Sequence, residues 1–172
     1  MSLNNAALSN SIEVKIAWSR NCYQKFGRQL LQDNAVIGLL SGLKSAINAS
    51  HKEMGKTGIV DICRDCEEND GGSCCGAGME AVYDGWLLLT NLLLGARLPD
   101  ERGDLSSCFF LRKTGCMLPA RHVICVNYLC RKITDLVDPE KIKSLRDKEG
   151  EELNILFLLN ERVKRVVGSL TG

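Results

Sequence analysis

Nine cysteines in a chain of 172 residues constrain this protein more than any other feature of its sequence. Eight of them fall between residues 63 and 130, and the ninth, Cys22, stands alone far upstream. Thiols at this density usually form disulfides or bind metal. The eight clustered residues are Cys63, Cys66, Cys74, Cys75, Cys108, Cys116, Cys125 and Cys130.

The rest of the chain favours metal over disulfides. Residues 1–10 contain neither a basic stretch nor a long apolar stretch, so no secretory signal is predicted. With 45% hydrophobic residues in 172, the chain can bury an ordinary core without disulfide staples. We therefore predict a cytoplasmic protein whose reduced thiols bind metal.

Charge and hydropathy argue against nucleic-acid and membrane partners. The net charge is +1, so no basic field attracts nucleic acid or an anionic membrane. The most apolar run, residues 86–94, is too short to span a bilayer and is interrupted by Thr90 and Asn91. That run predicts a buried core helix, and a protein partner stays open.

Hydrophobic periodicity predicts a mainly α-helical single domain. Only 3 prolines and 5% aromatic residues are untypical of an all-β fold. We expect a helical frame over residues 11–58, 79–96 and 139–170, and a loop-rich cysteine-cluster lobe over residues 60–78 and 104–132. The clearest apolar stripe, at helical spacing, is Val36, Leu40, Leu43 and Ile47.

Turn residues set the predicted boundaries within that frame. The predicted helices cover residues 11–26 with Gly27 as a stop, 30–50, 79–94 with Gly95 as a stop, and 139–170 with a break near Gly150. The last of these carries a stripe of Leu159, Val163, Val166 and Leu170 and a charged run predicted as a solvated face. Residues 61–78 are predicted as a loop, residues 104–118 as short extended pieces around Gly115, and residues 120–133 as a short helix.

The cysteine spacing indicates metal ligation but leaves the number of centres open. Cys63-x2-Cys66 is the recurrent half-site of zinc and iron–sulfur centres, and the βαβ context of a thioredoxin-like redox motif is missing. Cys74 and Cys75 are adjacent, so their side chains point in different directions. Either they serve two centres, or one ligates and the other is structural or reactive. Eight thiols suffice for two tetrahedral sites, or for one four-thiolate cluster with four left over.

Charge separates the two halves of the cysteine set. Residues 61–70 carry five acids against one arginine, whereas residues 105–134 carry no acid and five cations, Arg112, Lys113, Arg121, Arg131 and Lys132. Cations lower thiol pKa values and acids raise them. We therefore expect the cysteines from Cys108 to Cys130 to be the better supported ligands, and Cys63 and Cys66 the more labile ones. The dipole of a helix starting at residue 79 is expected to support Cys74 and Cys75.

The sequence also predicts roles for one histidine, one glutamate and the isolated cysteine. His122 lies between two cysteines and could be a ligand or a proton carrier, although a lone histidine is more often structural. Glu80 could be a carboxylate ligand, but an acid in the first turn of a helix is explained by capping. Cys22 is predicted as a buried core thiol.

The pattern of these cysteines resembles a known family. The matching segments are Cys63-x2-Cys66, Cys74-Cys75-Gly76, Cys108-Phe109-Phe110-Leu111, Gly115-Cys116-Met117-Leu118, Arg121, Cys125 and Cys130. They resemble the cysteine-cluster family described as zinc- or iron-chelating domains, whose members are predicted iron–sulfur proteins and which is similar to the cysteine region of flagellin lysine N-methylases. The resemblance covers residues 60–132 and implies that all eight clustered cysteines are ligands. Seven residues separate Cys66 from Cys74, more than is usual there, and His122 stands where the family has proline.

The sequence therefore predicts a protein that holds zinc or an iron–sulfur cluster, which all-thiolate ligation does not separate. One alternative is an iron–sulfur redox enzyme or electron carrier. Another is a helical interaction module with purely structural zinc. Whether the chain is an enzyme stays open, and no catalytic residue is assigned. It has no phosphate-binding glycine loop, no nucleophile elbow and no SAM-binding fingerprint of a Rossmann kind, which argues against a stand-alone methyltransferase.

Overall fold

The computed structural model describes residues 7–8, 11–69 and 74–171, and helices make up most of them. The α-helices, in chain order, are α1 (Ile12–Leu30), α2 (Asn34–Thr57), α3 (Ile59–Asn69), α4 (Gly85–Leu93), α5 (Val123–Asn127), α6 (Arg131–Leu136) and α7 (Pro139–Thr171). A single 3-10 turn covers Met79–Val82, and a two-stranded antiparallel hairpin joins β1 (Leu111–Arg112) to β2 (Gly115–Cys116). The predicted mainly α fold class is confirmed.

The main core lies between two pairs of packed helices. The longest interface joins α2 to α7, and α1 packs against α4, which also touches α7. The predicted stripe of α2 is confirmed, since Val36 and Leu43 are fully buried and Leu40 and Ile47 nearly so. Helix α4 is buried on almost every side, as predicted for the apolar run. Each such leucine contributes roughly 1.5–3 kcal/mol of transfer free energy.

Local capping sets where α4 begins and ends. Asp84 is its N-cap, with a carboxylate oxygen that accepts a hydrogen bond from the Leu87 N–H at 2.7 Å. The helix ends as predicted at Gly95, which takes the left-handed conformation at φ 92°. Because Asp84 caps the helix there, the segment predicted as one helix from residue 79 is divided into the 3-10 turn and α4.

Two predicted helix breaks do not occur. Helix α1 runs through Gly27 to Leu30, and α7 runs unbroken through Gly150. A glycine inside a helix costs about 1 kcal/mol relative to alanine. The packing of α1 against α4 outweighs this cost at Gly27, and the long α2–α7 interface outweighs it at Gly150. The predicted α7 stripe holds at Leu159 and Val163, but Leu170 is 46% exposed and Val167 is buried in its place.

The charged run of α7 is not wholly a solvated face, which corrects that prediction. Glu149 and Glu152 are buried, at 1% and 0% exposed. The Ser50 hydroxyl donates a hydrogen bond to Glu152, and Arg146 pairs with Glu149 at 2.6 Å. Burial raises the pKa of the Glu149 carboxyl, and the hydrogen bond from Arg146 opposes this only in part.

The segment 61–69, predicted as part of a loop, belongs to helix α3. Gly58 ends α2 in the left-handed conformation at φ 83°, and the Thr57 hydroxyl then accepts a hydrogen bond from the Ile59 N–H at 3.1 Å. The chain re-enters a helix because Ile59 packs into a second, smaller core, which also contains Ile133, Val137 and Leu145. The rest of the predicted loop is described only from residue 74 onward.

The second cysteine-rich segment matches its prediction more closely. The extended pieces around Gly115 are the β1–β2 hairpin, in which Leu111 pairs with Cys116. The helix predicted over residues 120–133 is two short helices, α5 and α6, with Cys130 as the N-cap of α6. None of the described helices is both long enough and apolar enough to cross a bilayer.

Candidate metal centre

All nine cysteines lie in the described part of the chain, and no disulfide joins any two of them. Cys22 is 2% exposed within the main core, as predicted, and burial raises the pKa of its thiol. The other eight lie on α3, just before the 3-10 turn, in and just before the hairpin, on α5 and at the start of α6. Their exposure ranges from Cys108, which is buried, to Cys63, Cys74 and Cys116, which are exposed.

Seven of the eight thiols fall into two neighbourhoods, and Cys75 interacts with both. The Cys63 thiol interacts electrostatically with Cys74, Cys130 and Cys66, and Cys74 in turn with Cys130 and Cys66. The Cys108 thiol interacts with Cys116 and Cys75, and Cys116 with Cys75 and Cys125. We call the first set, Cys63, Cys66, Cys74 and Cys130, the outer group. We call the second set, Cys75, Cys108, Cys116 and Cys125, the inner group.

Cys75 lies between the two groups and also interacts with Cys63 and Cys74. Its packing places it in the inner group, because it lies against the main core. Its carbonyl oxygen accepts a hydrogen bond from the Cys108 N–H at 2.6 Å. The next residue, Gly76, forms a β-bridge to Ser107. The backbone therefore joins the two inner-group segments at this point.

A buried ion pair holds the Cys108 segment in place. Glu80 is 7% exposed, and its carboxylate pairs with Arg102 and accepts the Phe109 N–H at 3.3 Å. Burial alone would raise the pKa of this carboxyl, but the hydrogen bonds from Arg102 and from the backbone outweigh it and lower the pKa. Glu80 therefore organises the loop that carries Cys108, a role that capping alone did not predict.

Tyr83 is a buried residue that forms a hydrogen bond to Cys125. Its ring is 1% exposed and meets Phe110 edge-on, with ring centroids 5.1 Å apart. Its hydroxyl donates to the Cys125 sulfur at 3.7 Å and accepts the His122 N–H at 3.3 Å. Burial raises the pKa of Tyr83, so the phenol keeps its proton and remains a donor. Hydrogen bonds of this kind orient metal ligands and adjust their electron density.

Asn91 fixes the chain just before Cys125. Its side-chain amide donates to the Ala120 carbonyl at 2.9 Å, and its amide oxygen accepts the Ala120 N–H at 3.0 Å. Both residues are fully buried. An amide inside the most apolar helix is the signal that sequence reasoning missed, since a buried amide needs partners from another segment.

His122 has a structural role that its position in the sequence left open. It is the N-cap of α5, and its Nδ1 accepts the Ile124 N–H at 3.2 Å. Burial lowers its pKa, so the ring is neutral and its proton sits on Nε2. The ring lies 6.0 Å from Tyr83, centroid to centroid.

The outer group is held in place by fewer buried contacts than the inner group. Cys63 and Cys66 lie three residues apart on α3, so their side chains share one face of that helix. Cys130 packs beside the smaller core at the start of α6. An ion pair of Lys132 with Asp65, 3.0 Å apart and largely exposed, joins α3 to α6.

Charge does not divide the thiols as their sequence positions predicted. Burial is the largest influence on Cys63, Cys74, Cys108 and Cys116 alike, and it raises the pKa of Cys108 to about 11. The sulfur of Cys116 is desolvated by its surroundings although the residue is exposed. The five cations are partly engaged elsewhere, since Arg112 binds backbone carbonyls, Arg131 pairs with Asp135 and Lys132 with Asp65. The predicted helix dipole at Cys74 and Cys75 is also absent, because a 3-10 turn follows them.

Arg121 is a cation that acts on the inner group. Burial raises the pKa of the Cys116 thiol, and the charge of Arg121 opposes this only in part. Its Nε and one terminal nitrogen are buried and have no hydrogen-bond partner among the described residues. A buried guanidinium with unsatisfied donors is costly unless an anion lies beside it. Arg121 interacts electrostatically with the buried Glu149 carboxyl as well as with Cys116. A centre of four thiolates would add negative charge beside it, so Arg121 and the all-sulfur donor set fit such a centre.

The thiols of each group are neighbours but do not yet converge on one point. Across residues 7–8, 11–69 and 74–171, no three His, Cys, Asp or Glu side chains are arranged to hold a metal ion as they stand. Metal binding would therefore require the sulfurs of a group to close on the ion.

No protein-family model matches this chain, and neither the curated proteins nor the solved structures contain a match. The resemblance to the cysteine-cluster family therefore remains an expectation from the residues that carry it.

Proposed function

We propose that this protein binds metal through two separate centres, one in the inner group and one in the outer group. Each centre takes four thiolates around zinc or an iron–sulfur cluster. The supporting observations are that Cys63 and Cys74 interact with Cys66 and Cys130, that Cys116 interacts with Cys108 and Cys125, and that Cys75 interacts with both sets. The backbone hydrogen bond to Cys108 and the packing against the main core assign Cys75 to the inner group. Of the alternatives open to the sequence, this favours two centres over one cluster with four spare thiols.

The surrounding residues have defined roles in this proposal. Arg121 offsets the negative charge of the inner centre, and Tyr83 orients Cys125 and withdraws electron density from its sulfur. Bound zinc would cross-link the cysteine segments, whereas an iron–sulfur cluster would add one-electron redox chemistry. Four thiolates suit zinc and an iron–sulfur cluster equally, so the test decides which of the two is bound.

The first test is anaerobic purification followed by elemental analysis and a visible absorption spectrum. Zinc without visible absorption identifies zinc centres, and iron with sulfide and a broad visible band identifies clusters. Protein that contains neither metal, with the eight clustered cysteines paired as disulfides, would contradict the proposal.

A second test separates two centres from one. Cys125→Ser is expected to remove the inner centre and leave the metal of the outer group, while Cys63→Ser does the reverse. Cys22→Ser is the matched control, because Cys22 is buried in the main core away from both groups. If either Cys125→Ser or Cys63→Ser removes all bound metal, the thiols form a single centre.

A further inference from the structure

A cleft of about 360 Å³ opens between α4, α5 and α7, beside the inner group. Its volume lies within the range of roughly 300–1,000 Å³ that is typical of small-molecule sites. His122 lines the cleft and is the residue whose backbone N–H bonds Tyr83. The cleft contains none of the eight clustered cysteines, so its function can be tested separately from metal binding.

The walls of the cleft are largely apolar. Leu87 and Leu156 form a buried base, each at most 6% exposed. Phe157 stands at the rim and is 62% exposed. An aromatic side chain left in solvent beside a buried apolar base provides contact area for a ligand at little conformational cost.

Three polar side chains converge on the cleft: Asp84, His122 and Asn160. One oxygen of Asp84 accepts the Leu87 N–H, and the other has no partner among the described residues. His122 uses Nδ1 on Ile124, so its Nε2–H remains as a donor. The Asn160 oxygen accepts the Thr90 hydroxyl at 2.6 Å, which leaves the amide N–H groups as donors.

The cleft carries a negative charge. Asp84 is its charged lining residue, and His122 is neutral. Lys15 interacts electrostatically with Asp84, but it does not line the cleft, and its ammonium group is directed to the Ala81 carbonyl at 2.9 Å. A ligand that complements this lining has an apolar body and a cationic head that donates hydrogen bonds.

We propose that this cleft binds a small apolar amine, with the ammonium group on Asp84 and the apolar body between Leu156 and Phe157. Any acceptor on the ligand is met by the donors of His122 and Asn160. The proposal goes beyond metal binding and does not depend on it.

The test uses three phenyl probes that differ in their head group: 2-phenylethylamine, 2-phenylethanol and 3-phenylpropionate. Calorimetry on the full chain is expected to give the tightest binding for the amine, weaker binding for the alcohol and none for the carboxylate. Asp84→Asn is expected to weaken the amine at least about tenfold and to leave the alcohol unchanged, because a charge-assisted hydrogen bond is lost. Asparagine still caps α4, so the fold is retained.

A second pair of variants checks the apolar wall. Phe157→Ala is expected to weaken both the amine and the alcohol, whereas Leu158→Ala is the matched control, since Leu158 is 46% exposed and does not line the cleft. Equal binding of all three probes, no binding of any, or an amine affinity unchanged by Asp84→Asn would overturn the proposal. Metal content measured on the same variants shows whether the centres are intact, so the two proposals fail independently.

Discussion

The inner and outer groups both consist of cysteine thiols, but the contacts that hold those cysteines in place differ between the two groups. The inner group lies on the main core, where Tyr83, Asn91 and the Glu80–Arg102 ion pair hold its segments by buried hydrogen bonds. The outer group lies on the smaller core, and an exposed ion pair joins its two helices. Preorganised ligands lose less conformational freedom on binding. The comparison predicts a tighter inner centre and a more labile outer one.

The largest expected effect is a difference in metal retention between the two groups. Cys125→Ser leaves only the outer centre and Cys63→Ser only the inner one, so a chelator titration of the two variants compares the centres directly. We expect half-removal from the inner centre to need at least about tenfold more chelator, a difference of about 1.4 kcal/mol. Equal or reversed midpoints would show that the support of the ligands does not set their affinity.

The next effect concerns which parts of the fold depend on metal. Structural zinc contributes an apparent 10–16 kcal/mol or so in small peptides, comparable to the stability of a whole domain. Because the main core is buried without metal, we expect chelation to deprotect α3, α6 and the hairpin in hydrogen exchange. The buried stripe of α2 should stay protected. Equal deprotection of α2 would show that metal supports the whole fold.

Loss of the ion pair behind the inner group is expected to have a moderate effect. Glu80→Gln should destabilise the metal-free protein by about 1.5–3 kcal/mol, the range for hydrogen bonds to charged groups. Because folding lowers the Glu80 pKa, its contribution is complete above the ordinary glutamate pKa of about 4.3 and is lost as pH falls through the folded pKa. Urea unfolding of both proteins across this acid range checks the size and the sign. A constant difference down to the lowest pH would contradict it.

The smallest effect is expected at the ion pair of Asp65 with Lys132, which joins the two helices of the outer group. Asp65→Asn removes the charge that pairs with Lys132 but keeps the size of the side chain. Exposed ion pairs contribute little, so we expect Tm to shift by no more than about 2 °C. A thermal melt of the metal-free variant measures this. A shift as large as that of Glu80→Gln would mean that the outer group is as firmly supported as the inner one.

The fold class could be predicted from the sequence because it depends on local pattern. The stripe from Val36 to Ile47 and the apolar run of α4 follow from helical periodicity and burial alone. Gly95 ends its helix for an equally local reason, since the left-handed conformation favours glycine. Helix α3 was missed because the packing of Ile59 depends on Ile133 and Val137, which lie far along the chain.

The charges around the thiols come partly from distant segments of the chain. Residues 105–134 contain no acid, yet Asp65 of α3 pairs with Lys132 once the chain is folded. Likewise, Glu149 and Glu152 belong to a charged run, and only the α2–α7 packing buries them. Electrostatic effects act through space, so counting charges along a segment does not give the potential at its thiols.

By itself, the sequence determined the mainly helical frame, the buried thiol of Cys22 and the eight cysteines that are the candidate ligands. Helical periodicity and residue type are local properties that survive in any reasonable packing. Only the tertiary structure decided that Cys75 packs on the main core and bonds the Cys108 backbone, that the Tyr83 hydroxyl donates to Cys125 and that Arg121 acts on Cys116. Each of these depends on contacts between distant segments, which form when α4 and the two cores bring those segments together.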